Sequence, residues 1–337
     1  IVKSFMAHHQ GMSICAVNNV VNNNIIIRRF MNIPQVRAFE QLLFENMPDV
    51  PIKLNTFQSC YDIKQNKPGR DEKFILVGER TGGVISNGSY SVLIDSKGKG
   101  FSRCGDKFLT RYERENTDRN GIEFFIAVNE KVFSCGGEMT VQPERILLEN
   151  RHGGVKTRLE ATVSADHNCE IRTLTIINSG MESVRVKVGV FAEVSLVRNS
   201  EDAAHPTFVK ICTDCRLEGD VMLFNSRKKP GHAEQYGYFC LISPGETELS
   251  SDGMCSPGRL NSYADAMKSH EALKQTDFTS PVEPIYTART ELNIQSGDSI
   301  RVVLIAGLSE NRAAALEAVS NTKLHLNGMN EIVRLNS

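Results

Sequence analysis

The side chains best suited to chemistry stand near the start of the chain, in Ser4-Phe5-Met6-Ala7-His8-His9-Gln10-Gly11-Met12-Ser13. Two adjacent histidines invite a metal ion. Neighbouring positions on a helix point about 100° apart, however, so His8 and His9 do not share one ion as an i, i+4 pair would. The His-Glu-x-x-His spacing of a zinc helix is absent, and no metal site is expected. His9 or Gln10 can instead line a polar cleft in a helical domain, with Gly11 admitting a neighbouring helix. The plainer alternative is a set of buried polar groups satisfied by backbone partners.

Asp202-Ala203-Ala204-His205-Pro206 reads as a compact polar turn within an apolar strand series. Asp202 would accept backbone N–H bonds there and Pro206 would fix the chain direction. Alternatively, Asp202 and His205 hold a domain interface or a substrate rim; the strand-crossing role is the expectation. Arg111-Tyr112-Glu113-Arg114-Glu115 and Asp118-Arg119-Asn120 read as a solvated charged loop. Glu113 and Glu115 would share one side of a strand, but no nucleophile accompanies them. Cys212-Thr213-Asp214-Cys215 lacks the second ligand pair of a zinc site and the strand-to-helix setting of a redox dithiol. These are expected to be structural thiols. No residue is assigned as catalytic and no cofactor is expected.

Composition narrows the classes. The chain has 337 residues, enough for one large core or two smaller ones, with 40% hydrophobic and 23% charged residues. A net charge of -1 without a long basic run argues against nucleic acid as a partner. No apolar stretch reaches the roughly 18 residues of a membrane span. Nine cysteines without framework spacing fit reduced thiols, hence a cytoplasmic setting. Trp is absent, which weighs against a free-standing carbohydrate-binding module, because such clefts favour large flat rings.

The elements that must position these residues follow from periodicity. Met6, Ile14, Val17 and Val21 form one helical stripe, and Asn22-Asn23-Asn24 breaks it. Pro34 can open a further helix, with Val36, Phe39, Leu42 and Leu43 on its apolar face. The expected domains are helices over 1–47, a polar linker over 48–73, strands over 74–308, and an exit helix and tail over 309–337. Asn87-Gly88 has the residue types of a two-residue hairpin turn. Val184, Val186, Val188 and Val190 alternate with polar or small residues, as do Leu159, Ala161 and Val163. His152-Gly153-Gly154, Asn178-Ser179-Gly180 and Gly219-Asp220 sit at plausible hairpin corners. Residues 243–284 look irregular, with a weakly helical middle that crosses an edge. Ser309 looks like an N-cap. Strands at this spacing without helices between them predict a mainly β fold, a large antiparallel sandwich.

The two dense motifs also resemble a known order of modules. His8-His9-Gln10-Gly11-Met12-Ser13, followed by Arg37-Ala38-Phe39-Glu40-Gln41-Leu42-Leu43, resembles the end of the glucoamylase-like (α/α) barrel of cyclic β-1,2-glucan synthases. Ser86-Asn87-Gly88, Gly98-Lys99-Gly100-Phe101-Ser102-Arg103 and the Asp202–Pro206 block resemble the N-terminal sandwich of cellobiose- and chitobiose-type glycoside phosphorylases. Cys104 and Tyr112 stand where that family usually has Trp.

The resemblance implies a galactose-mutarotase-like super-sandwich preceded by the last helices of a truncated barrel. It implies a parent transferase acting on β-glucan or oligosaccharide and phosphate, with the catalytic acid in a barrel outside this chain. This chain is then expected to be inactive alone. Substrate contacts are implied for His8, His9, Gln10, Arg103 and Arg111, and structural or interface roles for Asn87, Gly88, Asp202, His205 and Pro206. Flanking (α/α) barrels and a homodimer through the sandwich are the implied partners, and segments outside this chain would anchor the parent protein to the bacterial inner membrane. Two other classes compete. One is a non-enzymatic carbohydrate-binding sandwich. The other is a mutarotase-like enzyme, which would need a His and a Glu converging in a concave face, yet His152 and His167 sit near turns.

Overall fold

The computed structural model describes residues 7–33, 36, 74–76, 82–112, 120–226, 234–255, 262–269, 271–273 and 278–335. The chain divides into two compact units, Ile1–Lys67 and Pro68–Ser337. In the first, helices span Ala7–Val21 and Ile25–Met31. The break falls at the three asparagines, where Asn23 and Asn24 take φ of 48° and 60°, a left-handed conformation that Asn tolerates better than most residues. The expected apolar stripe is not covered: Ile14, Val17 and Val21 are 69%, 63% and 72% exposed. The helix expected through Leu43 and the linker over 48–73 lie outside the described residues, apart from Val36.

In the second unit the described strands are, in chain order, β1 (Phe74–Leu76), β2 (Gly82–Ser86), β3 (Tyr90–Asp95), β4 (Gly100–Cys104), β5 (Lys107–Phe108), β6 (Ile122–Val128) and β7 (Lys131–Ser134). Then come β8 (Glu138–Val141), β9 (Arg145–His152), β10 (Val155–Val163), β11 (Cys169–Asn178), β12 (Val184–Glu193), β13 (Thr213–Glu218) and β14 (Val221–Ser226). The last are β15 (Tyr236–Ile242), β16 (Thr247–Asp252), β17 (Phe278–Thr279), β18 (Pro284–Ile294) and β19 (Ser299–Ser309). They form a ten-stranded sheet in the order β1-β8-β9-β10-β11-β19-β15-β14-β13-β17, a five-stranded sheet β16-β18-β12-β6-β7, and a four-stranded sheet β2-β3-β4-β5. The pairings are antiparallel. One core, including Val92, Ile126, Leu159, Leu174, Val188, Ala288 and Leu304, is shared by all three sheets. The fold is the mainly β, antiparallel sandwich expected.

Alternation explains most strands. In β12, Val186, Val188 and Val190 are fully buried, while Arg185 and Lys187 point to the other face, as a period of two requires. The Gly153-Gly154 and Gly219-Asp220 corners join neighbouring strands β9–β10 and β13–β14. Asn178-Ser179-Gly180 does not: β11 belongs to the ten-stranded sheet and β12 to the five-stranded one, so this corner carries the chain across the core. Residues 243–284 are also more regular than expected. They contain β16, the helix Tyr263–Lys268 and β17. That helix packs through Tyr263, Ala266 and Met267 on Phe191 and Ile285 of the five-stranded sheet. Gly189 makes room for it, since a Cβ there would collide with Met267 Sδ.

The last helix runs over Arg312–Leu335, beyond the short tail expected after Asn321. Ser309 ends β19, and Asn311 is the residue that caps the helix, its Oδ1 accepting from the Ala314 N–H at 2.9 Å. Ala315, Ala318 and Val319 bury against Val221, Leu223, Tyr238, Cys240 and Ile305 of the ten-stranded sheet. Two ion pairs hold the helix to the β13–β14 hairpin: Arg312 with Glu218, and Lys323 with Asp220 at 2.6 Å.

These pairs predict an acid sensitivity. The Arg312 hydrogen bond holds the Glu218 carboxyl below its usual range. For Asp220, burial pushes upward, but the hydrogen bond and charge of Lys323, with its other partners, bring it below normal. A depressed folded pKa stabilises above the unfolded value of about 4 and is lost as pH falls through the folded value. The Tm should therefore fall more steeply between about pH 5 and about pH 2 in the native chain than in E218Q/D220N. Parallel calorimetric profiles would show that the two pairs contribute nothing.

Candidate functional site

Strands β4 and β5 and the residues after them bring together much of what the sequence singled out. Arg103 lies opposite Phe108 in the β4–β5 pairing. Residues 107–111 then run antiparallel to 193–198: Phe108 N–H donates to Val197 O (2.9 Å), Leu196 N–H to Phe108 O (2.8 Å) and Arg111 N–H to Glu193 O (2.8 Å). Arg111 is not in a solvated loop. It is 4% exposed, with its guanidinium 3.0 Å from Asp202 and 3.6 Å from Glu193. A fork with five donors suits two carboxylates at once. The Arg111 guanidinium is therefore turned to two carboxylates within the fold.

Asp202 does not sit in a turn between strands. It lies in the helix Asn199–Ala204, and Pro206 opens a second helix, Pro206–Ile211. Pro fits there because the first turn has no use for its missing N–H. His205 joins the two helices with φ −143° and ψ 61°, and its side chain caps neither. Its exposed ring stands edge-on to Phe208 at 6.1 Å. The block thus anchors a helical pair to the strand through the buried Asp202–Arg111 contact.

On β4, β5 and the segment that follows, Phe101, Phe108 and Tyr112 form a half-buried aromatic cluster, with ring centroids 5.2 Å apart for Phe101–Phe108 and Phe101–Tyr112. The exposed Arg103 guanidinium stands 5.9 Å from the Phe101 centroid. Such a surface can take the C–H face of a pyranose and donate hydrogen bonds to its hydroxyls. Tyr112, where a Trp was expected by resemblance, still supplies a ring.

Asn87 and Gly88 lie in the β2–β3 hairpin, but the central pair of the turn is Gly88-Ser89. Asn87 N–H donates to Tyr90 O at 3.2 Å, and Gly88 takes φ of 101°, which L side chains rarely adopt. The Asn87 side chain accepts from the Ser89 and Tyr90 N–H groups and donates to Ser164 O (2.8 Å) and His167 O (3.1 Å). Asn87 therefore ties two turns together. His8, His9 and Gln10 lie in the other unit, exposed on the helix Ala7–Val21. The His8 and His9 rings are edge-on at 4.2 Å.

Sequence reasoning missed the polar centre of the sandwich. Glu170 and Arg172 on β11 are 0% and 1% exposed. Arg172 Nε donates to Glu170 at 2.6 Å and another guanidinium nitrogen to Ile122 O at 2.7 Å. The Tyr90 hydroxyl (3.1 Å) and the Ser102 hydroxyl donate to the other carboxylate oxygen. Burial, reinforced by Glu170, pushes the Tyr90 phenol well up, so it stays a donor. Ser102 also donates its N–H to Thr110 Oγ1 at 3.2 Å, beside Arg111. The signal was present: Glu170 and Arg172 share the inward register of Leu174 and Ile176. His152 stacks on Phe133 at 4.3 Å, and burial pushes its imidazole down. Among the described residues no group of His, Cys, Asp or Glu is placed to hold a metal ion.

The chain is similar to the cyclic β-(1,2)-glucan synthase NdvB of Rhizobium meliloti (strain 1021), with 26% identity over 342 residues. The match covers 90% of this chain and 12% of that protein, so the chain spans a small part of its relative's length. Among solved structures it is similar to a putative kojibiose phosphorylase from the human microbiome, with 6% identity, a TM-score of 0.35, and coverage of 60% of this chain and 24% of that one. It is also similar to a putative aldose 1-epimerase from Escherichia coli K12, with 9% identity, a TM-score of 0.42, and coverage of 69% of this chain and 100% of that one. Residues 80–324 match the Glycosyl hydrolase 94, supersandwich domain, and the chain belongs to that family.

Proposed function

We propose that this sandwich is the scaffold and glucan-contacting module of a transferase of the glucan synthase or glycoside phosphorylase type that acts on β-glucans, a reading supported by the glucan synthase relative and the supersandwich family. The observation that carries this reading is the rim at Arg103, Phe101, Phe108 and Tyr112, held in place by the buried Arg111–Asp202 contact. The rim binds; it does not react. The buried Glu170 and Asp202 and the half-buried Glu193 are each engaged by an arginine within the fold, which holds them as structural ion pairs and not as groups offered to a substrate. The same reading gives the whole enzyme β-glucan and phosphate as substrates, helical barrels as neighbours of the sandwich, and a homodimer formed through it. The cytoplasmic side of a membrane would be its place; among the described residues no helix is long and apolar enough to cross one.

Incubated with β-1,2-glucan and phosphate, the chain should release no glucose 1-phosphate above background. Linear β-1,2-gluco-oligosaccharides should bind, and Arg103→Ala should weaken that binding about tenfold, the loss of roughly 1.4 kcal/mol. Equal affinity of the native chain and R103A in calorimetric titration would reject the rim as the contact. Turnover would reject the scaffold role.

A further inference from the structure

We infer that the outer face of the five-stranded sheet carries a second binding groove, for a neutral saccharide chain. Beside the helix Tyr263–Lys268 the sheet opens into a cavity of about 600 Å³, and a second of about 330 Å³ shares Lys187 and Glu291 with it. Both lie within the range of about 300–1,000 Å³ usual for small-molecule sites. Ala127, Val132 and Met267 form the apolar part of the larger lining.

The charges around the groove select the ligand. In the larger cavity Arg185, Lys187 and Lys268 face Glu130 and Glu291. The smaller adds Arg289 against Glu246 and Glu248. Cations and carboxylates balance, so the groove offers no net field to a polyanion or a polycation. It offers closely spaced donors and acceptors instead. Carboxylates only accept, while ammonium and guanidinium groups only donate. A row of hydroxyls, each both donor and acceptor, satisfies the two kinds together, and the C–H face of a sugar ring can rest on the apolar lining.

Much of this lining is set before a ligand arrives. Lys187 Nζ donates to Ser269 O at 3.3 Å and stands 3.5 Å from Glu291. Arg289 is 4% exposed and donates to Ala266 O (3.2 Å), Ser269 O (3.1 Å), Glu248 (2.9 Å) and the Glu271 carbonyl. Its Nε has no hydrogen-bond partner among the described residues. Preset side chains lose little freedom on binding, which favours affinity. The class of ligand rests on the carbohydrate reading above, whereas the position of the groove is independent of it.

The test is an NMR titration of the full chain with a linear β-1,2-gluco-oligosaccharide, with inorganic phosphate and oligogalacturonate as comparisons. The glucan should shift the signals of Ala127, Val132 and Met267. Glu291→Gln and Arg185→Ala, both at exposed positions, should each weaken binding at the groove about tenfold with the Tm unchanged. Shifts confined to Phe101 and Tyr112 would overturn the groove and leave the rim reading intact. Shifts at the groove with a silent rim would support this inference and reject the rim. Tighter binding of galacturonate or phosphate at the groove would overturn the neutral-saccharide assignment, and no shift with any saccharide would overturn both readings.

Discussion

Arg172→Met should destabilise the sandwich by about 3–5 kcal/mol, the usual cost of breaking a buried ion pair from one side. The variant leaves the Glu170 carboxylate in the core with hydroxyl donors from Tyr90 and Ser102 but no cation. It also leaves the Ile122 carbonyl without its guanidinium donor. An uncompensated buried charge costs far more than the pair contributes, because the desolvation already incurred is no longer offset. Replacing both members, as in E170L/R172M, removes the unpaired charge and should recover part of the loss, the remainder being the Tyr90 and Ser102 hydroxyls and the Ile122 carbonyl left without these partners. Urea unfolding of the single and double variants measures this directly. A single-variant loss below about 1 kcal/mol, within the range of surface pairs, would mean that water reaches this centre.

The second large effect is expected at the rim support. Asp202→Ala should cost about 3 kcal/mol, because Asp202 and Arg111 each have side chains only 5% exposed and the buried arginine is left with Glu193 alone, 3.6 Å away. That exceeds the roughly 1 kcal/mol of lost turn hydrogen bonds that a strand-crossing role would give. Arg111→Met combined with Asp202→Leu should be milder than the sum of the single changes, and the double-mutant cycle reports the coupling. His205→Ala is the control within the block. Its ring is exposed and caps neither helix, so the change should stay within about 0.5 kcal/mol. Additive effects at Arg111 and Asp202 would show that the two residues act separately and that the contact does not seat the helical pair.

Local signals alone misplace Asp202, which lies in a helix paired with Arg111. Asp, Ala, His and Pro in succession describe equally well a polar turn and the junction of two short helices. Which of these forms depends on a partner, and the partner is Arg111, far away in sequence. The same holds at Asn178-Ser179-Gly180. Turn-forming residues fix that the chain bends there, but whether the next strand pairs with the last or joins another sheet depends on which surface is free to pair. Glu170 and Arg172 show the opposite case, in which the inward register was readable from Leu174 and Ile176 but their mutual neutralisation in the core was not.

The sequence by itself determined what depends on neighbours along the chain. Alternation in β10 and β12 set those strands, the three asparagines set the break between the first helices, and Gly88 set the hairpin with its positive φ. These outcomes follow from backbone sterics and side-chain period, which act over a few residues. Only the tertiary structure decided the sheet to which each strand belongs, the seating of the helix Tyr263–Lys268 over Gly189, and the burial of Arg111 with Asp202. The reason is physical: a charge becomes a core residue or a surface residue according to the partner that packing brings to it, and that partner is chosen by the whole fold.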